Sequence, residues 1–194
     1  MDKIITPCLL ILVSILGAAC TEDVPPPSAV IQYDACAGRE GTCSGDGCCA
    51  YGDDRTYGEE HNVRCTVRPG SRDDRYRLTF EVTTSRSADP AIQGEELEFI
   101  SSATQPRPVG LCDSFEVRED GNWFEAATCE SLDAAPEDGG GCVIEIYLDE
   151  DDSIIGRFQC KEIQLPAQDR YFSTVTGGDV GWGSIEIRHC SIRL

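Results

Sequence analysis

The sequence predicts an all-β protein, an antiparallel β-sandwich or barrel-like closure of about eight strands, and three observations lead there. From Asn62 onward the apolar residues recur with a period of two and not 3.6. No segment of ten or more residues carries a helical apolar stripe. Clusters of Gly, Pro and Asp interrupt the runs at the short intervals of a sandwich or barrel. Twelve cysteines, and no Met after Met1, place this fold in an oxidising compartment.

In chain order the first element is a leader, residues 1–19. Lys3 precedes an apolar run from Ile4 to Leu16, broken only by Thr6, Pro7 and Ser14, and the small residues Gly17, Ala18 and Ala19 follow. This is the charged, apolar and small-residue succession of a secretory signal peptide. A run of roughly 13 residues is too short to span a bilayer, which takes about 20. Cys20 comes next, so the segment reads LGAAC and resembles the lipobox of bacterial lipoproteins, although Leu16 stands one place further from the cysteine than usual. The resemblance implies that the Cys20 thiol receives a diacylglyceryl group, that the leader is cut just before it, and that the new N-terminus is acylated. Three acyl chains at about 0.8 kcal/mol per buried methylene make such an anchor effectively permanent. Thr21, where the family places Asp to retain a protein at the inner membrane, implies an outer-membrane site. Residues 20–35 are expected to form a tether. Pro25, Pro26 and Pro27 lack backbone donors, which favours an extended polyproline-type chain.

Residues 36–61 form a Gly-rich, cysteine-rich loop region. Cys36, Cys43, Cys48, Cys49 and Cys65 read C-x6-C-x4-CC-x15-C, which resembles the first five cysteines of knottin domains but lacks a nearby sixth. Two readings follow: a knottin-like inhibitor or toxin module, or a loop region stapled to the sheet by disulfides with Cys65 bridging from a strand. Zinc is disfavoured, because the cluster lacks paired C-x2-C units and thiols oxidise in the envelope.

Residues 62–194 are the sandwich domain. Val63, Cys65 and Val67 alternate with Arg64, Thr66 and Arg68, and Tyr76, Leu78, Phe80 and Val82 alternate with Arg75, Arg77, Thr79 and Glu81. Each reads as a half-buried strand with one wet face. Further strands are expected near 97–100, 112–119, 123–130, 142–149, 153–163 and 185–192. One hairpin can be registered: with a loop at 150–152, Leu148 meets Ile154, Ile146 meets Gly156, Ile144 meets Phe158 and Cys142 meets Cys160. Glu145 then falls opposite Arg157, a pair worth about 0.2–1 kcal/mol, and a one-residue slip destroys both matches. A second hairpin turns at Asp120–Gly121, suited to a type I′ turn; Val117 meets Phe124, Phe115 meets Ala126 and Cys112 meets Cys129. Each cysteine pair either bridges within its hairpin or exchanges with neighbours, as Cys129 to Cys142 and Cys160 to Cys190. In the last strand Ile185 and Ile187 share one parity, and Cys190, Ile192 and Leu194 the other, which calls for a bulge near His189. With Cys8 lost in the leader and Cys20 lipidated, ten cysteines remain, an even number.

Charge completes the reading. Thirty-five acidic against sixteen basic residues, a formal net charge of −19, exclude a nucleic-acid binder. Arg64, Arg68, Arg72, Arg75 and Arg77 form one local basic cluster, either a patch for an anionic glycan or lipid headgroup or a set neutralised by Glu59, Glu60, Asp73, Asp74 and Glu81. His61 and His189 are the only histidines, and no nucleophile elbow, H-E-x-x-H or phosphate loop is present. No catalytic residue, metal site or cofactor is assigned. The acidic loops Asp149–Asp152 and Asp133–Asp138 carry oxygens of the kind calcium takes, but read as charged turns that keep an edge soluble. Lys161 is the only lysine after the leader, against fourteen arginines, and the chain resembles the cysteine-rich lipoproteins of high-GC Gram-negative bacteria. The expectation is a lipid-anchored cell-envelope protein with a structural or binding role and no catalysis, its partners the membrane and an envelope protein or glycan. A knottin-like module and a carboxylate-based envelope hydrolase are the alternatives.

Overall fold

The structure, a computed structural model, describes residues 25–38, 62–83, 91–119, 121–134, 140–149, 153–165, 170–176 and 179–193. Among these residues lie fifteen strands in two sheets and no helix. The strands are β1 (Ser28–Gln32), β2 (Asp34–Gly38), β3 (Asn62–Pro69), β4 (Arg75–Thr83), β5 (Ala91–Ile100), β6 (Arg107–Pro108), β7 (Ser114–Glu119), β8 (Asn122–Glu125), β9 (Gly141–Leu148), β10 (Ile154–Lys161), β11 (Ile163–Gln164), β12 (Tyr171–Thr176), β13 (Asp179–Val180), β14 (Gly183–Arg188) and β15 (Ser191–Ile192). The smaller sheet runs β1-β14-β10-β9-β6; the larger runs β13-β12-β11-β8-β7-β5-β4-β3-β15, with β2 on β12. All pairings are antiparallel except β15 on β3.

The predicted all-β sandwich is therefore the fold, and both registered hairpins hold. In β9 and β10, Leu148 faces Ile154, Ile146 faces Gly156, Ile144 faces Phe158, Cys142 faces Cys160 and Glu145 faces Arg157. In β7 and β8, Val117 faces Phe124, Ala126 donates its N–H to the Phe115 carbonyl at 3.0 Å, and Gly121 takes φ 79° in the two-residue turn. Alternation drives the burial: Cys142, Ile144 and Ile146 in β9 and Ile154, Gly156, Phe158 and Cys160 in β10 point inward, while their neighbours face water. All six phenylalanines are buried. Tyr33 meets Phe158 edge-on at 5.6 Å and Phe172 at 6.1 Å, Phe115 lies 5.6 Å from Phe158, and Phe124 lies 5.7 Å from Phe172. Each such pair adds about 0.5–1.5 kcal/mol beyond the area it buries.

Four expectations need correction. The tether drawn over 20–35 is too long, since β1 already pairs with β14 and β2 with β12; Ala29, Ile31 and Tyr33 alternate inward directly after the prolines. The loop region drawn from Cys36 begins as strand, because Asp34–Gly38 lies along β12; residues 39–61, with Cys43, Cys48, Cys49 and His61, lie outside the described residues. The strands near 153–163 and 185–192 are each two strands, and β12 was not anticipated, which raises the number above eight. The change of parity at His189 is not a bulge. His189 takes φ 57°, and the chain leaves the smaller sheet at β14 and joins the larger at β15. Glu162 repeats the device: with φ 50° it ends β10 in the smaller sheet and starts β11 in the larger. One left-handed residue reorients the chain within a single step, at a cost of roughly 1–2 kcal/mol. At Glu162 the N–H is satisfied by the Ser173 hydroxyl at 2.9 Å.

Thr174 fastens the two sheets. Its buried Oγ1 accepts from the Cys160 N–H at 2.8 Å and donates to the Gly181 carbonyl at 2.6 Å. A buried hydroxyl without partners would cost about 1–3 kcal/mol; here both capacities are used.

Candidate binding faces

Three disulfides join described cysteines: Cys65–Cys190, Cys112–Cys129 and Cys142–Cys160. The two hairpin pairs thus bridge within their hairpins, and the exchanged set is not formed. Cys65 reaches Cys190, 125 residues away, and does not staple the 36–61 region to the sheet. The fifth cysteine of the knottin-like spacing, Cys65, is thus bound outside the segment, while Cys43, Cys48 and Cys49 lie outside the described residues. Cys36 lies in β2 opposite Ser173. Cys20, with the leader, lies outside the described residues.

Among the described residues the basic cluster is only partly paired with acids. Arg64 pairs with Glu81 at 3.6 Å, and Arg77 with Glu96 at 3.3 Å and Glu98 at 3.5 Å. Exposed pairs of this kind contribute about 0–1 kcal/mol each. Arg68 stands opposite Arg77, and Arg193 donates its N–H to the Val67 carbonyl next to it at 2.8 Å. Asp73 and Asp74 belong to the exposed turn before β4 and take part in no ion pair among the described residues. His189 is exposed at the sheet crossing. Asp149 closes the β9–β10 turn, its N–H bonded to the Ser153 carbonyl at 2.8 Å, while 150–152 and 135–139 lie outside the described residues. Among those described, no three His, Cys, Asp or Glu side chains are arranged to hold a metal.

The outer face of the larger sheet is mostly polar, with half-buried Trp123 beside Arg118, 5.3 Å from ring centroid to guanidinium carbon, as its aromatic exception. One row crosses it as Arg64, Glu81, Gln93, Glu116, Glu125 and Gln164. An open hollow of about 360 Å³ lies between Pro26, Pro27, Asn62, Arg64, Glu81 and Thr83, and a second of about 210 Å³ adjoins it at Thr66, Thr79, Gln93 and Glu95. The Glu116 carboxyl is held above its ordinary value of 4.5 by burial first and by the Glu125 charge across the strand second, against the bond that Gln93 Nε2 donates to it at 2.8 Å. Its raised value means a penalty that is present at neutral pH and is relieved as the pH falls through it. Glu125→Gln is therefore expected to stabilise the fold at pH 7 by about 0.2–1 kcal/mol, read as a rise in urea midpoint that vanishes in acid. Glu98 behaves oppositely. Bonds from the Ser71 N–H at 2.9 Å and Ser71 Oγ at 3.0 Å, with Arg77 beside them, hold its buried carboxyl below 4.5. Its contribution is complete above pH 4.5 and is lost as the pH falls through the lowered value.

The outer face of the smaller sheet has a different chemistry. Its middle row is polar: Gln32, Ser184, Arg157 and Glu145. A flanking row carries Val30, Glu186, Ile155 and Tyr147, and on the other side stand Trp182, Gln159 and Val143. Arg157 is fixed twice, by an ion pair with Glu145 and by Trp182, whose ring centroid lies 4.3 Å from its guanidinium carbon. Gln159 Nε2 donates to the Val180 carbonyl at 2.9 Å, and Arg188 pairs with Glu186 at 2.6 Å. Trp182 is nonetheless 40 % exposed and Val30 37 %. The Glu145–Arg157 pair follows from the hairpin register, whereas Trp182 does not stand out in sequence. Its signal is parity: Trp182, Ser184 and Glu186 share a side, and the buried Gly181 and Gly183 alternate with them.

Comparison with protein-family models, with curated proteins and with solved structures finds no match to this chain, so function rests on the residues themselves.

Proposed function

We propose that this chain is a lipid-anchored protein of the cell envelope, at the outer membrane, whose β-sandwich has a binding role without catalysis. The observation that carries the reading is the segment Leu16-Gly17-Ala18-Ala19-Cys20, placed behind a short apolar run and ahead of three prolines. β1 begins eight residues after Cys20, which gives a tether of at most about 26–29 Å. Cysteine usage supports an oxidising address: among the described residues, six of the cysteines assigned to bridges are paired in three disulfides.

Binding is favoured over hydrolysis because Glu116, the carboxyl that burial and neighbouring charges raise among the described residues, lies with Glu125 on an open sheet face and not in a cleft. A hydrolytic pair acts from within a site that also holds the sugar between the two groups. Metabolic labelling with a tritiated fatty acid tests the anchor. The wild-type protein is expected to label and to fractionate with membranes, and Cys20→Ala to do neither; equal labelling of both would refute the reading.

A further inference from the structure

We infer that the outer face of the smaller sheet binds a neutral glycan, with Trp182 as the stacking surface and the Arg157–Glu145 pair as the clamp on its hydroxyls. This rests on the binding role proposed above and specifies its ligand class.

Charge supplies the first argument. Among the described residues the face carries Arg157, Lys161 and Arg188 against Glu130, Glu145, Glu186 and, at its turn end, Asp149, so it is close to neutral within a chain of net charge −19. Acidic polymers, and a second copy of this chain, are repelled by the remainder of the molecule. A neutral ligand approaches without that penalty, which screening at physiological salt confines to about 8 Å from each charge.

The arrangement of polarity supplies the second. A protein partner needs about 800 Å² from each side, with an apolar centre depleted of charge. Here the order is reversed: the central row Gln32, Ser184, Arg157 and Glu145 is polar, and the apolar side chains Val30, Tyr147, Ile155 and Trp182 stand around it. A pyranose presents the same mixture, apolar C–H faces rimmed by hydroxyls that each donate and accept. Arg157 offers donors and Glu145 acceptors side by side, as vicinal hydroxyls require.

Preorganisation supplies the third. Arg157 is already held by Glu145 and by the Trp182 ring, and Gln159 by Val180. Ligand binding therefore freezes few additional rotors, whereas each free long side chain would cost about 0.5–1.5 kcal/mol to immobilise. Trp182 itself has only two rotatable bonds and a large exposed ring, the properties that suit an aromatic side chain to recognition at low entropic cost.

Native gels containing non-ionic detergent and either soluble starch, galactomannan, hydroxyethyl cellulose or dextran sulfate test the inference on the processed protein. At least one of the three neutral polymers is expected to retard it, and dextran sulfate is not. Trp182→Ala and Arg157→Ala should each weaken retardation tenfold or more while lowering the melting temperature by only about a few degrees, and Trp182→Tyr recovers part of the retardation. In Trp123→Phe protein all tryptophan emission comes from Trp182, and the retarding polymer should shield that emission from acrylamide. Retardation by none of the neutral polymers, retardation by dextran sulfate alone, or a Trp182→Ala protein that binds like wild type overturns the inference. A protein that ignores the neutral polymers yet still labels with fatty acid through Cys20 would fail here and leave the anchor intact.

Discussion

Phe158→Ala is expected to lower the free energy of unfolding by about 3–5 kcal/mol. Phe158 lies fully buried between the sheets, in ring contact with Tyr33 and Phe115. Gly183 opposite leaves room for the ring and nothing more: a Cβ there would sit 2.7 Å from Phe158 Cζ and 2.8 Å from Tyr33 Cβ. β-Strand backbones on both sides hold the space open, so truncation leaves a cavity that cannot collapse. A lowered urea midpoint at unchanged slope is the readout; a loss below about 1 kcal/mol would mean that Phe158 does not lie at the centre of the core.

Replacing Cys65 and Cys190 together by alanine is expected to cost about 5 kcal/mol, against about 3 kcal/mol for the Cys142–Cys160 pair, if chain entropy dominates. The two loops differ in length, with separations of 125 and 18 residues, and the longer closure restricts the unfolded chain more. Accessibility runs with the same ranking. Cys142 and Cys160 are fully buried, whereas Cys190 is half-buried at the end of the larger sheet. Under limiting dithiol, Cys65–Cys190 should therefore be reduced before Cys142–Cys160, which alkylation and peptide mapping resolve. Loss of Cys142–Cys160 before Cys65–Cys190 would contradict the burial described.

How far these features were legible in the sequence depended on whether the polar residues lay outside. In β9 and β10 they do, so alternation, the facing cysteines and the Glu145–Arg157 pair all specified one register. In β12 they do not. Tyr171, Phe172, Ser173 and Thr174 are all buried, with Ser173 and Thr174 bonded to Glu162 and Cys160, so the strand shows no alternation and reads as a loop. The sheet crossings at Glu162 and His189 were equally hidden, because left-handed positions are read from Gly or Asn and neither residue is one. β1 was obscured by the prolines before it, which argue for a tether up to the residue where pairing begins. Of the glycan face, the charged clamp was legible from register and the aromatic was not: Trp182 follows the two-residue β13, too short to establish parity before the chain enters β14.

Mass spectrometry of the N-terminal peptide of the protein purified from membranes addresses the anchor most directly. A lipid-anchored chain yields a peptide that begins at Cys20 and carries the mass of a diacylglyceryl thioether and an N-acyl group. A peptide that begins elsewhere, or an unmodified Cys20 found in a disulfide, would contradict it.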